Sequence, residues 1–192
     1  MESLLISTGV VSLAEVGDKT QLLAFLLAAR FKKPVPIVAG ILVATLVNHG
    51  LAGALGAWIT TTVDAQTLRW VLGVSFVGMA AWTLIPDKIE KDESTLARRL
   101  GVFGATLITF FLAEMGDKTQ LATVAMAAHF GTPLLVVIGT TLGMLIADVP
   151  AVLIGDRLAA KIPMKPVRLV AAAIFIALGV ATLLGAGAGL GL

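Results

Sequence analysis

The sequence predicts an all-α membrane protein of about six transmembrane helices, arranged as two inverted three-helix repeats. Three observations predict it. Of the 192 residues, 58% are hydrophobic and 14% charged, too few polar side chains to cover a soluble domain of this size. The apolar residues fall into runs of membrane-crossing length, and the second half of the chain repeats the first at a constant offset of 99 positions.

Runs able to cross roughly 30 Å of hydrocarbon cover residues 4–29, 35–59, 68–85, 102–128, 133–154 and 167–184. The first and fourth are longer than a perpendicular span requires and carry a charged cluster at mid-length. Tilt or local unwinding is expected in them, with Gly17 and Gly116 marking the breaks. The longest polar stretch, PDKIEKDESTLARR, divides the chain. It gives a first three-helix repeat over 1–86, a charged linker over 87–100 and a second repeat over 101–192, together one transmembrane domain. The apolar start carries Glu2 where a secretory signal would carry Lys or Arg, so it reads as part of the mature protein.

Loop charges set the orientation. Arg30, Lys32, Lys33, Lys88, Lys91, Arg98, Arg99, Arg157, Lys161, Lys165 and Arg168 fall on one side of a six-span arrangement, and Arg69 on the other. Short cytoplasmic loops are enriched in Lys and Arg, which predicts a multi-pass protein of a bacterial cytoplasmic membrane with both termini outside the cytoplasm. Basic residues spread over short loops form no stripe for nucleic acid. Cysteine is absent, which removes disulfides, thiolate ligands and cysteine nucleophiles.

The repeat is ungapped over Glu15, Gly17, Asp18, Lys19, Thr20, Gln21 and Leu22, which align with Glu114, Gly116, Asp117, Lys118, Thr119, Gln120 and Leu121. It continues through Ala28, Phe31, Pro34, Gly40, Gly56, Arg69 and Phe76 onto Ala127, Phe130, Pro133, Gly139, Gly155, Arg168 and Phe175. Three spans per half, an odd number, bring the second half in upside down. Inverted repeats of this kind put substrate near the bilayer midplane, where interrupted helices meet.

Each motif lies inside an apolar run, as AEVGDKTQL and AEMGDKTQL. At helical spacing Glu15 and Asp18 share a face, and Glu15 with Lys19, or Glu114 with Lys118, are set four apart to pair. On a soluble helix such residues are a solvated ion-pair face. In a membrane each charge costs between about 2.5 and 17 kcal/mol, so the expected setting is an internal cavity on an ion path. A plainer reading makes them structural pairs locking the two halves together. Charge favours a cation: two lysines cannot neutralise four motif acids plus Asp148 in the fifth run, and bound metal or protons must make up the difference. Metal and protons then compete for the same carboxylates, a simple physical route to exchange.

The donors on offer are carboxylates, the Gln21 and Gln120 amides and the Thr20 and Thr119 hydroxyls, a hard set suited to calcium, manganese or magnesium. Asn48 precedes His49, a second-shell donor or proton-relay candidate. Met115 offers a weak soft donor, although methionine in an apolar helix is usually packing. His129 at a span end reads as interfacial. Asp148 aligns with His49 and precedes Pro150, which frees a carbonyl one turn upstream; a site or gating role is expected. Asp64, Asp156 and Arg157 read as interface residues, and Gly40, Gly56, Gly139 and Gly155 as close helix contacts.

Paired Glu-x-Gly-Asp-Lys-[Ser/Thr] motifs, one at the start of each three-span half, resemble the calcium/manganese cation-proton exchangers of bacterial plasma membrane, chloroplast and Golgi. The resemblance covers essentially the whole chain, which looks like a short bacterial member exporting manganese. It implies metal ligands at Glu15, Asp18, Glu114 and Asp117; the residues themselves add as auxiliary candidates Lys19, Lys118, Thr20, Thr119, Gln21, Gln120, Asp148 and Asn48. It implies no cofactor; the partners are the lipid bilayer, the transported Mn²⁺ or Ca²⁺, and protons. Two other classes compete. An exporter of small organic cations or amino acids would use the acids for an ammonium group. An intramembrane aspartyl protease would share a proton between two Asp residues, but the Gly-x-Gly-Asp form is missing and a lysine follows each Asp.

Overall fold

A computed structural model describes residues 1–85, 94–154 and 164–185. The described residues form eight helices: α1 (Glu2–Glu15), α2 (Lys19–Phe31), α3 (Pro34–Thr62), α4 (Ala65–Thr83), α5 (Ser94–Glu114), α6 (Lys118–Phe130), α7 (Pro133–Ile154) and α8 (Met164–Leu183). Residues 87–93 of the linker expected at 87–100 lie outside the described residues, as do Gly155, Asp156, Arg157 and Lys161.

Local chemistry sets the helix ends. Asp18 caps α2 by accepting from the Lys19 N–H, and the left-handed Lys32 closes it on the Ala28 carbonyl. Pro34 opens α3 at the first turn, where a missing N–H costs nothing. Asp64 caps α4 by accepting from the N–H groups of Thr67 and Gln66, and those bonds hold its exposed carboxyl below the usual range. The two long apolar runs expected to unwind do so. Gly17 and Gly116 sit at φ 78° and 73°, a conformation that residues with a Cβ rarely adopt, and α5 and α6 meet at a 70° bend. A second break inside α5 falls at Gly101, φ 69°.

By length and composition α3 and α7 can each cross a membrane, and the bent pair α5–α6 makes a third candidate span. Large apolar side chains such as Leu51, Trp58, Leu112, Leu142 and Ile146 are exposed, a surface suited to lipid and not to water.

The helix pairs recur at the 99-residue offset. Helix α1 packs on α7 and α5 on α3; α2 packs on α7 and α6 on α3; α4 packs on α8. Phe76 and Phe175, equivalent residues, are both fully buried. One pair of close helix approaches recurs as well. A Cβ on Gly40 would lie 2.8 Å from Thr106 Cβ and 3.0 Å from the Phe103 carbonyl; one on Gly139 would lie 3.0 Å from Ser7 Cβ and 2.6 Å from the Leu4 carbonyl. Phe103 and Thr106 are Leu4 and Ser7 shifted by 99. These glycines are helix contacts, as the sequence suggests.

Candidate metal centre

The two broken helices bring their charged residues together in the protein interior. Glu15 ends α1 and Glu114 ends α5, while Asp18 and Asp117 occupy the N-caps of α2 and α6. All four acids are buried, as are Thr20, Gln21, Asn48, Lys118, Thr119 and Asp148. Lys19 retains 24% side-chain exposure against 4% for Lys118.

The lysines do not pair within their own motifs. Lys19 Nζ lies 2.9 Å from Asp117 Oδ1, and Lys118 Nζ lies 2.9 Å from Asp18 Oδ2. The expected pairs Glu15–Lys19 and Glu114–Lys118 are therefore incorrect, and the reason is the glycine break. Four-apart side chains meet only along one continuous helix, and the chain leaves the helix between Glu15 and Lys19. The same break removes the common helical face expected of Glu15 and Asp18. The two Lys–Asp bridges are reciprocal and each joins one half to the other.

The glutamates are arranged differently. Thr20 Oγ1 donates to Glu15 Oε2 at 2.6 Å, and Thr119 Oγ1 donates to Glu114 Oε2 at 2.9 Å. The other oxygen of each, Oε1, is buried without a hydrogen-bond partner among the described residues. Carboxylate oxygens of Glu15, Glu114 and Asp117 lie within 4.8 Å of one another. Three acids from opposite halves converging on one point repel unless a cation or protons join them. Oxygen-only donors in this number fit a hard divalent cation completing its shell with water or carbonyl oxygen.

The amides hold backbone. Gln21 Oε1 accepts from the Gly17 N–H at 2.8 Å, and Gln120 Oε1 accepts from the Gly116 N–H at 2.7 Å. Gln21 Nε2 donates to the Ala147 carbonyl of α7 at 3.0 Å, whereas Gln120 Nε2 donates to Asn48 Oδ1 of α3, and Asn48 Nδ2 donates to the Phe111 carbonyl at 3.3 Å. In these contacts each amide bridges a motif turn and the long helix of the other half. Asp148 lies within Coulombic range of Glu15 and Glu114; both its oxygens, and both His49 ring nitrogens, are buried and unpartnered among the described residues. Met115 is 57% exposed and outside the cluster.

His129 lies away from the acids. It lines a cavity of about 410 Å³ with Thr60, Arg69 and Thr182, its ring edge-on to Phe76 and Phe130. What the sequence reading missed was the cross-pairing of lysines and the grip of Gln21 on a backbone carbonyl. Spacing carried no signal for the first; the repeat adds only that one cross-pair, Lys19 with Asp117, implies the other, Lys118 with Asp18.

A profile of the divalent cation/proton antiporter GDT1 family matches residues 3–91 and again residues 102–189. The chain belongs to that family, and it is a transporter, not an enzyme. Among its relatives, a Vibrio cholerae serotype O1 protein named "Putative manganese exporter" is 51% identical over 183 residues, covering 95% of this chain and 90% of that one. GDT1-like protein 3 of Oryza sativa subsp. indica is 28% identical across 94% of this chain and 73% of its own length. The chloroplastic PAM71-homolog of Arabidopsis thaliana is 27% identical across 92% of this chain and 57% of its own. No solved structure matches the chain. The protease alternative falls with the family assignment. The geometry agrees, because Asp18 and Asp117 each face a lysine of the other motif.

Proposed function

We propose that the protein exports Mn²⁺ from the cytoplasm in exchange for protons, through a site made by the two motifs. The observation that carries this reading is the convergence of Glu15, Glu114 and Asp117, with the two glutamate Oε1 atoms unpartnered. Those three acids hold the cation, and Asp18 stands beside them on Lys118. Lys19 and Lys118 fix the aspartates and offset acid charge once the metal has left. Thr20 and Thr119 orient the glutamates so that one oxygen of each faces the shared point. Asp148, close enough to sense the charge on both glutamates, acts as an auxiliary acid of the site.

Metal binds carboxylates and protons neutralise them, so the two cargoes exclude each other. Manganese is favoured over calcium by the name of the Vibrio cholerae relative. The oxygen donors suit either ion, and the exposed Met115 adds no soft donor. An ammonium cargo is disfavoured by the family assignment. The same reading takes the chain to cross a bacterial cytoplasmic membrane six times as two inverted halves, 1–86 and 101–192, with both termini outside and residues 87–100 in the cytoplasm. The reciprocal helix contacts support that arrangement.

Proteoliposomes with a manganese-sensitive dye inside test it. The wild type should take up Mn²⁺ when a pH gradient is imposed. Glu15→Gln and Glu114→Gln should each cut uptake at least about 100-fold, as loss of a charged ligand from a closed site predicts. Uptake retained in both variants would remove the site from consideration.

A further inference from the structure

The two motif turns are secured by one device built from different parts. In each, a glutamine oxygen accepts the N–H of the glycine at the helix break, and the glutamine amide reaches across to the long helix of the other half. Gln21 ends on a main-chain carbonyl, Ala147 of α7. Gln120 ends on a side chain, Asn48 of α3, which passes the connection on to the Phe111 carbonyl of α5. Asn48 and Ala147 are equivalent positions under the 99-residue offset, so substitution at one position has altered one grip and not the other.

We propose that Gln21 and Gln120 are positioning residues that set the two motif turns, and that Asn48 is the required second half of the Gln120 clamp. The clamp fixes the left-handed Gly116, and through it the cap residue Asp117 and the end of α5 that carries Glu114. Two of the three converging acids therefore depend on it. A loosened turn displaces ligands without removing them, which weakens cation capture and leaves the later steps of transport intact. This inference rests on the reading of the acids as the transport site.

The experiment is a double-mutant cycle on Mn²⁺ uptake by the full chain in proteoliposomes. Gln120→Ala and Asn48→Ala should each raise the KM for Mn²⁺ about tenfold, the size of one buried hydrogen bond, with Vmax within about twofold of wild type. The Gln120→Ala/Asn48→Ala double variant should be no worse than Gln120→Ala alone, because both changes break one connection. Gln21→Ala/Asn48→Ala should multiply, to about 100-fold, because the clamps are separate. Lost packing alone would lower the amount of active protein, and with it Vmax, without moving KM. Asn48→Leu, similar in volume and lacking the amide, should match Asn48→Ala and guards against a cavity effect. An unchanged KM, or multiplicative effects of Gln120→Ala and Asn48→Ala, would overturn the clamp. So would failure of every Asn48 variant to fold while Gln120→Ala folds, since the clamp gives Asn48 no task beyond Gln120 and Phe111. Wild-type vesicles that move no Mn²⁺ would instead refute the transport reading.

Discussion

The two motif turns share the sequence Gly-Asp-Lys-Thr-Gln yet hold their residues in unequal settings. The second turn contributes Asp117 to the converging acids, and its partner Lys19 is partly exposed. The first turn places Asp18 against Lys118, both deeply buried. One turn is gripped through a side chain and the other through backbone. An exact repeat in sequence therefore fixes the kind of local structure, a glycine break with an aspartate cap. The role of each copy is fixed by what crosses it, and α3 and α7 differ where they cross: Asn48-His49 in one, Ala147-Asp148 in the other.

The comparison breaks most visibly at the lysines. Lys118→Met leaves Asp18 buried without that bridge and should destabilise the fold by about 3–5 kcal/mol, the range for stripping one partner from a buried pair. Lys19→Met should cost clearly less, because Lys19 keeps 24% of its side-chain surface exposed and its charge is less desolvated to begin with. Thermal unfolding in detergent reads both, and equal losses would mean that the two bridges are equally buried. A smaller effect separates the aspartates. Asp117→Asn should reduce Mn²⁺ uptake about 100-fold and Asp18→Asn about tenfold, since one supplies a converging oxygen and the other supports through a lysine. The reverse order would transfer the ligand role to Asp18.

Much of the fold was legible in the sequence because the bilayer imposes simple rules. Apolar runs had to be helices, and charges inside them had to face inward. The breaks at Gly17 and Gly116 could be read for the same reason: a charged cluster inside an over-long apolar run needs a turn. Pairing was illegible by spacing rules, since those assume a continuous helix and the motif interrupts one. The lysines thus cross to the opposite half, and the glutamines turn back to the glycine N–H groups exposed by the break. Buried backbone groups must find partners, and that requirement, applied to Gly17 and Gly116, would have pointed to Gln21 and Gln120. The inequality between the turns was harder to foresee. It depends on Asn48 and Ala147, which matter only once the crossing of α3 over α6 and α7 over α2 is known.

The most direct test is to locate the ion. Crystals of the protein soaked in Mn²⁺ and measured at the manganese absorption edge should give an anomalous peak between Glu15, Glu114 and Asp117, about 2.0–2.6 Å from their oxygens as expected of hard divalent cations. A peak elsewhere in the membrane interior, with those three acids turned away from it, would contradict the account.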